Sequence, residues 1–420
     1  MVRRYFGTDG VRGIYGEAIT PDLAERLARA ATIWSGARDV FVGRDTRASG
    51  VELGEAVGRG IVSAGASARL GGVLPTPAVA LQARELGVVI SASHNPPEYN
   101  GVKFFRAGAK LTDDEEEAVE GLLDAPAAQE EGKVVELDGA ASAYSSYILE
   151  TFGSDLGGLR IAVDCGHGAY SAIAPRVFER LGAEVGAMGV DPNGTNINMG
   201  CGATDTMALE ELVVGGGYDL GVAFDGDGDR MLAVDEEGEP LDGDQILAVL
   251  ALDLGVELVA VTEMTNHGFH ALMRKHGIRV VTTPVGDRHV LEALDREQGV
   301  LGGEQSGHII YLRDHVSGDG LAAALLLCAA LRGRTLREAA AVLDRYPQAK
   351  ENIRVRSKEL TPAIRTAVDE LNADLDGDGR ALVRASGTEP LIRILVEAQD
   401  EELATDACAS LATLVERELG

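Results

Sequence analysis

Short apolar strand-like runs, each followed by a helical pattern, recur along this chain of 420 residues and restrict the folds open to it. A first unit contains the run at 88–90, and the pattern begins again at 160–164 and at 257–261. Alternation of strand and helix favours mainly parallel sheets, because a parallel connection needs a crossover helix. The repeated pattern therefore predicts three similar α/β units.

The last segment of the chain has a different pattern. Strands are predicted at 351–356, 380–385 and 391–397, with helices near 361–373 and 401–417. This arrangement is typical of a small α+β domain. We predict four domains in total, with bounds at residues 1–152, 153–255, 256–358 and 359–420.

The charge of the chain limits the partners that it can bind. Acidic residues outnumber basic ones by 67 to 38, which gives a formal net charge of −29. Nucleic-acid binding needs a basic surface, so we expect no such partner. The same negative field repels an anionic substrate, which must therefore be met by locally concentrated arginines.

Neither a membrane segment nor a secretion signal is indicated. The chain has no apolar run of about 18 residues, and the two arginines near its N-terminus precede no apolar stretch. The four cysteines are scattered without metal-binding spacing, which is typical of free thiols in a reducing compartment. We expect a cytoplasmic protein that does not bind membranes.

A candidate metal site lies within residues 224–230. Asp225, Asp227 and Asp229 alternate there with glycines, which permit tight turning, and strand-like runs flank the segment. Carboxylates spaced in this way can converge on one hard cation, and hard oxygen ligands suit Mg²⁺. The segment therefore predicts a catalytic magnesium site.

A calcium-binding loop is the main alternative, because the three aspartates and Glu236 match positions 1, 3, 5 and 12 of an EF-hand. Two features oppose it. Arg230 stands where that loop needs glycine, and strand-like runs flank the segment where helices would be needed. A solvated acidic turn is the third interpretation.

A polar loop at 91–97 contains Ser93 and His94 and follows the predicted strand at 88–90. A serine hydrolase would have glycine two residues before and after its nucleophile, and this loop does not. The loop better suits a serine that carries a phosphoryl group and completes the coordination of the metal. Lys103, ten residues later, could neutralise charge or move a proton. A simple turn is the alternative interpretation.

Residues 302–308 follow another strand-like run and contain Glu304, Ser306 and His308. A carboxylate, a hydroxyl and an imidazole on a flexible loop suit recognition of sugar hydroxyls and proton transfer. The alternative is a histidine with a structural role only.

Residues 384–393 form a candidate anion site. Arg384 and Arg393 flank two hydroxyl side chains and Gly387. The planar fork of arginine matches phosphate oxygens bidentately, and backbone N–H groups beside a glycine add further donors. No Walker A or GxGxxG motif opens a βα unit, so we expect no nucleotide cofactor.

These four motifs, in this order, resemble the α-D-phosphohexomutase superfamily, and most closely its bacterial phosphoglucosamine mutases. The resemblance covers nearly the whole chain and includes residues 6–13, 43–47 and 282–288. It implies an α/β fold of three related α/β domains with mixed sheets. A C-terminal α+β domain of the TATA-binding-protein-like type would complete the chain, and the four domains would surround a central cleft.

The resemblance also implies roles for individual residues. Ser93 would be the phosphoserine and, with the three aspartates, would bind one Mg²⁺ per subunit. Arg12, Lys103 and His308 would act catalytically, in proton transfer and charge balance. The substrate would be contacted by His94, Arg230, Arg288, Glu304, Ser306, Arg384, Ser386, Gly387, Thr388 and Arg393.

The implied reaction interconverts glucosamine 6-phosphate and glucosamine 1-phosphate through a phosphoserine enzyme and glucosamine 1,6-bisphosphate, in a homodimer that supplies UDP-N-acetylglucosamine synthesis. Gln305 is typical of the glucosamine type, where phosphomannomutase/phosphoglucomutase enzymes usually have methionine. Those enzymes are the alternative. Ala203 and Asp205 stand where the superfamily usually has serine and histidine.

Two other classes of function are compatible with the same motifs. A phosphosugar sensor would keep the pocket without turnover, and a phosphatase would use the metal loop to release inorganic phosphate continuously. A mutase would conserve the phosphate. The presence of Ser93, Lys103 and all three aspartates favours the mutase.

Overall fold

The computed structural model describes residues 4–7, 9–129, 132–386 and 390–420. The chain divides into two compact units. The larger unit contains Met1–Glu263 and Arg279–Ala341, and the smaller unit contains Met264–Ile278 and Val342–Gly420. Within the described ranges, the larger unit has three sheets and the smaller unit has one.

The first sheet has seven strands: β1 (Val11–Ile14), β2 (Asp39–Arg44), β3 (Ser67–Val73), β4 (Leu86–Ile90), β5 (Tyr99–Arg106), β6 (Ala109–Lys110) and β7 (Val134–Glu136). Their order is β1-β5-β4-β2-β3-β7, with β6 beside β5. Strand β5 is antiparallel to each of its neighbours, and the other pairs are parallel. The accompanying helices are α1 (Pro21–Ser35), α2 (Ser49–Ser63), α3 (Thr76–Gln82), α4 (Asp113–Glu120) and α5 (Ala140–Phe152).

The second sheet has the order β12-β11-β10-β8-β9. Its strands are β8 (Arg160–Asp164), β9 (Glu184–Met188), β10 (Leu220–Phe224), β11 (Met231–Asp235) and β12 (Pro240–Leu241). Strand β8 is parallel to β9 and β10, whereas β11 forms an antiparallel hairpin with β10. The helices in this stretch are α6 (Ala174–Arg180) and α7 (Met207–Gly216).

The third sheet has the order β14-β13-β15-β16. Its strands are β13 (Leu258–Thr262), β14 (Arg279–Thr283), β15 (Leu301–Gly303) and β16 (Ile309–Tyr311), and only the β15–β16 pair is antiparallel. The helices in this stretch are α8 (Gly243–Leu254), α9 (His267–Lys275), α10 (Asp287–Glu297), α11 (Gly320–Leu331) and α12 (Leu336–Ala340). Of these, α9 belongs to the smaller unit.

The smaller unit contains an antiparallel sheet with the order β17-β19-β18. Its strands are β17 (Gln348–Arg354), β18 (Gly379–Ala385) and β19 (Leu391–Ala398), and its C-terminal helices are α13 (Pro362–Asp374) and α14 (Glu401–Leu419). Apolar side chains of the sheet and of these two helices form one core, which includes Ile364, Ile392 and Val415. Burying one face of the sheet against helices explains the α+β pattern of this segment.

The loops that carry three of the sequence motifs follow buried strands. Every residue of β4, β10 and β15 is buried, as expected for strands covered on both faces of a sheet. The loops that follow them begin with Ser91, Asp225 and Glu304. Ligands of α/β sheets bind beyond the carboxyl ends of the strands, and the fold places these loops there.

The predicted α/β class and the small C-terminal α+β segment are confirmed. The run at 160–164 is β8, and those at 88–90 and 257–261 match β4 and β13 to within two residues at each end. The sheets of the larger unit are mixed, as the resemblance implied, because β5, β11 and β16 return as antiparallel neighbours. Among the described strands, parallel pairs outnumber antiparallel ones only in the third sheet, so the expectation of mainly parallel sheets was too simple. The four predicted domain bounds stay a prediction. Among the described residues, no helix has the length and apolar character needed to cross a membrane.

Helix α2 starts just after the 43–47 motif and packs closely on α1 at Gly60. A Cβ atom at Gly60 would lie 2.2 Å from the carbonyl oxygen of Glu25, whereas one at Gly54, on the same helix, would come no closer than 3.6 Å to Ile90. We therefore expect Gly60→Ala to force the two helices apart and to destabilise the protein by about 1–3 kcal/mol.

Gly54→Ala is the matched control for this prediction. It adds the same methyl group without a clash, and we expect it to stabilise α2 by up to about 1 kcal/mol through helix propensity. Thermal unfolding followed by circular dichroism should place the midpoints in the order Gly54→Ala, parent, Gly60→Ala. Equal midpoints for the two variants would contradict close packing at Gly60.

Candidate active site

The aspartate loop joins β10 to β11 and is fixed through its backbone. The carbonyl oxygens of Gly226, Asp227 and Gly228 accept hydrogen bonds from the backbone N–H groups of Ala169, Thr76 and Gly320. Gly228 has a φ of 76°, and a Cβ atom there would lie 2.4 Å from the ring of Tyr170. Only glycine fits this position without movement of its neighbours.

The three aspartate side chains of this loop converge. Each of Asp225, Asp227 and Asp229 offers a carboxylate oxygen, and these three oxygens lie within 4.8 Å of one another. All three side chains are buried. The Oδ1 atoms of Asp227 and Asp229 are buried and accept no hydrogen bond. Buried acceptors without donors are costly, so this arrangement fits a bound cation.

Donors from other parts of the larger unit reach the same carboxylates. Ser93 donates its hydroxyl proton to Asp225 Oδ2, with an oxygen–oxygen distance of 2.6 Å. Asp227 Oδ2 accepts hydrogen bonds from Lys103 Nζ at 2.8 Å and from Thr76 Oγ1 at 2.6 Å. The fold therefore brings together Ser93, Lys103 and the three aspartates, and their predicted roles as phosphoserine, catalytic lysine and metal ligands stay a prediction.

Burial and the neighbouring charges shift the pKa values of these carboxyl groups in opposite directions. Burial, together with the charges of Asp227 and Asp229, raises the pKa of Asp225 to about 8. Burial alone would also raise the pKa of Asp229, but the charges of His308 and Lys103 outweigh it and hold that pKa well below its usual range. A divalent cation would relieve the mutual repulsion of the carboxylates, because it favours all three charged forms.

Ser93 lies at the tip of the loop after β4, with a left-handed φ of 51°. Its side chain is buried. His94 Nδ1 lies 3.3 Å from Ser93 Oγ. Burial and the nearby charges of Arg230 and Arg12 lower the pKa of His94 to about 4, so its imidazole is neutral near pH 7. A neutral His94 can donate or accept a hydrogen bond at the serine oxygen.

An ionic chain extends from the aspartate loop through Lys103. Lys103 Nζ lies 2.9 Å from Asp9 Oδ2 as well as contacting Asp227. Asp9 Oδ1 in turn lies 2.5 Å from Lys110 Nζ, which lies 2.7 Å from Asp287 Oδ2. The buried charge of the loop is therefore balanced by alternating acidic and basic groups.

His308 connects the last member of this series of ion pairs, Asp287, to the aspartate loop. Its Nδ1 lies 3.6 Å from Asp229 Oδ1, and its Nε2 lies 3.5 Å from Asp287 Oδ2. Burial alone would lower the pKa of His308, but the two carboxylates outweigh it and raise that pKa. A raised pKa favours the protonated form of His308, and that form suits charge balance and proton donation.

Two predicted arginines also lie near the loop. Arg12, on β1, forms an ion pair with Asp9, and its Nη1 lies 3.4 Å from Asn95 Oδ1. Arg230 Nε is buried, lies 4.0 Å from Asp229 Oδ1 and donates no hydrogen bond. Such a donor suits an anionic oxygen of a ligand.

The side chains of the 302–308 loop differ in burial and in their partners. Glu304 is buried, and its Oε1 accepts a hydrogen bond from Gly286 N at 3.0 Å, whereas Ser306 is exposed. The Nε2 atom of Gln305 lies 3.2 Å from Asp242 Oδ2 and 3.3 Å from Asp244 Oδ2, at the start of α8. Gln305 therefore stabilises the loop that presents Glu304.

Arg288 contacts the segment before α4. It donates to the carbonyl oxygen of Leu111 at 2.9 Å and forms an ion pair with Asp113 at 2.6 Å. These contacts join α10 to the start of α4. The substrate-binding role that the resemblance implies for Arg288 stays a prediction.

The candidate anion site lies in the smaller unit. Arg384 and Arg393 stand directly opposite each other on the antiparallel strands β18 and β19. Two neighbouring guanidinium groups can bind phosphate oxygens bidentately, so this pair suits an anion. Ser386 is buried, and its carbonyl oxygen accepts a hydrogen bond from Lys358 Nζ at 2.9 Å. The predicted residues Gly387 and Thr388 lie outside the described residues.

Several residues of the larger unit that serve this site were not assigned from the sequence: Asp9, Arg47, Thr76, Lys110, Asn198 and Asp287. Asp9, Arg47 and Asp287 lie within segments that carry the resemblance, which was the available signal. Asn198 lies in the segment 196–205, which resembles the superfamily apart from Ala203 and Asp205, whereas Thr76 and Lys110 are single polar residues without a motif. Their contacts span more than 80 residues of sequence, so only the fold reveals them.

The two departures from the superfamily pattern lie in the loop before α7. The backbone N–H of Ala203 donates to the carbonyl oxygen of Phe224, the last residue of β10. Asp205 Oδ1 lies 3.4 Å from Met207 N at the start of the helix. The link to the aspartate loop is thus made by backbone at position 203, and the side-chain change does not remove it.

Comparison with known proteins gives a family for each part of the chain. Residues 3–130, 141–238 and 242–347 match the alpha/beta/alpha domains I, II and III of phosphoglucomutase/phosphomannomutase. Residues 348–414 match the C-terminal domain of the same family. These matches cover well over half of the chain.

Relatives of known name extend over the whole length. Phosphoglucosamine mutase of Desulforudis audaxviator is 45% identical, covering 98% of this chain and 97% of the relative. That of Moorella thermoacetica is 46% identical, with coverage of 97% and 98%. A crystal structure of a phosphoglucomutase/phosphomannomutase family protein from Burkholderia thailandensis aligns with a TM-score of 0.85 at 24% identity. The alignment covers 99% of this chain and 98% of that one and supports the fold. The chain belongs to the phosphoglucomutase/phosphomannomutase family, and within it to the phosphoglucosamine mutases.

Proposed function

We propose that this chain interconverts glucosamine 6-phosphate and glucosamine 1-phosphate through phosphorylated Ser93 and glucosamine 1,6-bisphosphate. One observation carries the proposal: Ser93 Oγ lies 2.6 Å from Asp225 Oδ2, at the edge of three converging carboxylates. A serine in that position can exchange a phosphoryl group beside a metal site. The naming of the relatives as phosphoglucosamine mutases supports the choice of substrate.

Mg²⁺ is the metal that the donor set fits best. Its ligands would be Asp225, Asp227 and Asp229, together with a phosphate oxygen carried by Ser93. Carboxylate oxygens suit this hard cation, and the buried Oδ1 atoms of Asp227 and Asp229 have no hydrogen-bond donor. When bound, the ion supplies electrostatic stabilisation of the charge on the transferring phosphoryl group.

The proposed transfer is balanced within the pocket. The bond between phosphorus and Ser93 Oγ breaks, and a bond forms between phosphorus and a sugar hydroxyl oxygen. The hydroxyl loses its proton, and the departing serine oxygen gains one. Lys103 lies beside the carboxylate of Asp227, and His308 lies beside that of Asp229, so both can donate positive charge or a proton near the transferring group. Arg12 adds a further positive charge, so that the three side chains support charge balance and proton transfer.

The bisphosphate must then reverse its orientation, so that the phosphoryl group at position 6 returns to Ser93. The non-reacting phosphate would be bound by Arg384, Ser386, Gly387, Thr388 and Arg393. The opposed pair Arg384 and Arg393 supports this role, because two guanidinium groups can recognise a dianion regardless of the carbon that bears it.

Recognition of the sugar is assigned to Glu304 and Ser306. Glu304 is held by Gly286 N and belongs to the loop after β15, and Ser306 is exposed on the same loop. Gln305 would act on sugar preference indirectly, through its contacts with Asp242 and Asp244. His94, Arg230 and Arg288 complete the proposed substrate contacts.

The cellular setting follows from the same reaction. Glucosamine 1-phosphate is a precursor for UDP-N-acetylglucosamine synthesis, and we propose that the chain supplies it in the cytoplasm as a homodimer. The burial of all four cysteines as free thiols is compatible with a reducing compartment.

Turnover should depend on Ser93 and on the identity of the sugar. Mg²⁺-loaded, Ser93-phosphorylated protein should convert glucosamine 6-phosphate to the 1-phosphate faster than it converts glucose or mannose 6-phosphate, as followed by ³¹P NMR. Ser93→Ala should abolish the conversion. Faster conversion of the glucose or mannose ester would change the substrate assignment, and steady release of inorganic phosphate would identify a phosphatase instead.

Stabilisation by the metal should depend on Asp225. Adding Mg²⁺ at 100 times its Kd should stabilise the parent protein by about 2.7 kcal/mol, because the ion binds only the folded state. Asp225→Asn should remove most of this gain, since one charged ligand is lost. Calorimetric thermal unfolding measures both. Asp191→Asn, at an exposed aspartate, is the control and should keep the gain. An undiminished gain in Asp225→Asn would place the metal elsewhere.

Binding of the sugar should depend on Glu304. If Glu304 binds hydroxyl groups, Glu304→Gln should raise KM for glucosamine 6-phosphate and for glucose 6-phosphate by a similar factor, about tenfold or more. Steady-state kinetics with both esters decides this. A rise confined to the glucosamine ester would show instead that Glu304 recognises the amino group.

A further inference from the structure

Arg47 is a fully buried arginine whose side chain donates to five acceptors around Ser93. Its Nε donates to Asp45 Oδ2 at 2.9 Å. Its Nη1 and Nη2 atoms donate to four backbone carbonyl oxygens of the Ser93 loop and the start of β5, at Ser93, Asn95, Pro96 and Tyr99. A guanidinium group has five N–H bonds, so Arg47 has none left for a substrate.

The backbone N–H of Ser93 is linked by hydrogen bonds to the ion pair of Asp45 and Arg47. Ser93 N donates to Ser91 Oγ at 2.8 Å, and Ser91 Oγ donates to Asp45 Oδ2 at 2.6 Å. Asp45 and Arg47 are both fully buried. One buried ion pair therefore fixes both the amide N–H and the carbonyl oxygen of Ser93.

A second donor comes from the loop between β9 and α7. Asn198 Nδ2 donates to Ser93 O at 2.9 Å and to Asn95 O at 3.1 Å. Asn198 itself has a left-handed φ of 58°, and its N–H donates to Gly166 O. The carbonyl oxygen of Ser93 is thus bound by Arg47, which follows β2 of the first sheet, and by Asn198, which follows β9 of the second sheet.

These bonds explain the backbone conformation of Ser93. Its φ of 51° is unfavourable for a residue with a side chain, and it persists only where the surroundings fix it. In this conformation the hydroxyl reaches Asp225 Oδ2. A relaxed loop would let the oxygen turn away from the aspartate cluster.

We propose that Asp45, Arg47 and Asn198 are positioning residues that hold Ser93 in the orientation for phosphoryl transfer. The inference rests on the proposed function. Because every N–H of Arg47 is bound by protein oxygens, it acts through the backbone and not on the phosphate. Lysine at position 47 keeps the positive charge beside Asp45 but has three N–H bonds on one nitrogen, so it cannot serve all five acceptors.

The test compares Arg47→Lys and Asn198→Ala with Arg59→Lys, the same substitution at an exposed arginine paired with Glu25. Kinetic constants are expressed per phosphorylated molecule, counted by intact mass. Misplacement of a reacting group lowers kcat, and we expect a loss of about 10- to 100-fold for Arg47→Lys. We expect a smaller loss for Asn198→Ala, and KM within about threefold of the parent for both, since both side chains donate their N–H groups to backbone oxygens of the Ser93 loop.

An unchanged kcat would decide against the inference. If kcat per phosphorylated molecule stays at the parent value in both variants, even with a lower unfolding midpoint, the residues are merely structural and the proposal is overturned. Arg59→Lys should match the parent throughout. Asn198→Ala keeps the test available if Arg47→Lys fails to fold, because it removes two hydrogen bonds and adds only the local cost of alanine at a left-handed φ.

A readout independent of turnover separates this inference from the proposed function. Phosphoserine can be installed at position 93 during translation, and its ³¹P resonance then reports the setting of the phosphate. We expect a shifted or broadened resonance in Arg47→Lys and in Asn198→Ala. An unchanged resonance overturns the inference even if the parent is a mutase, and a changed one supports it even if the parent turns over no glucosamine phosphate.

Discussion

Three carboxylates buried within 4.8 Å of one another dominate the larger unit, because such charges repel strongly away from water. Asp225, Asp227 and Asp229 lie on one short turn between β10 and β11, and that turn contains only one basic side chain to neutralise them. Their balancing groups must come from elsewhere in the fold. Much of the arrangement around the turn serves that requirement.

The balancing groups reach the turn from the other sheets of the larger unit. Ser93 follows β4, Lys103 lies on β5, and His308 lies just before β16. Asp9, Lys110 and Asp287 extend the alternation of charge and return it to His308. A buried charged group is stabilised only when it is paired, so each member of this chain depends on its neighbours. The same pairing places a hydroxyl, an ammonium group and an imidazole ring beside the three aspartates.

The backbone conformation of Ser93 also depends on buried groups that are distant in sequence. Arg47 and Asn198 bind the carbonyl oxygen of Ser93, and Asp45 binds its amide side through Ser91. Local conformational strain persists at functional sites when several contacts fix it together. The smaller unit presents the opposite charge. Its opposed arginines on β18 and β19 suit an anion and not a metal ion.

The sequence by itself determined the elements whose signal is local. The buried strands, the aspartate turn after β10, the Ser93 loop after β4 and the C-terminal α+β pattern depend on neighbouring residues, and the structure has them where they were predicted. Tertiary structure decided which distant groups balance the aspartates. Thr76 meets Asp227 across 151 residues, and Lys110 meets Asp287 across 177. It also showed that Gln305 contacts α8, because such contacts arise from packing and leave no periodic pattern in the chain.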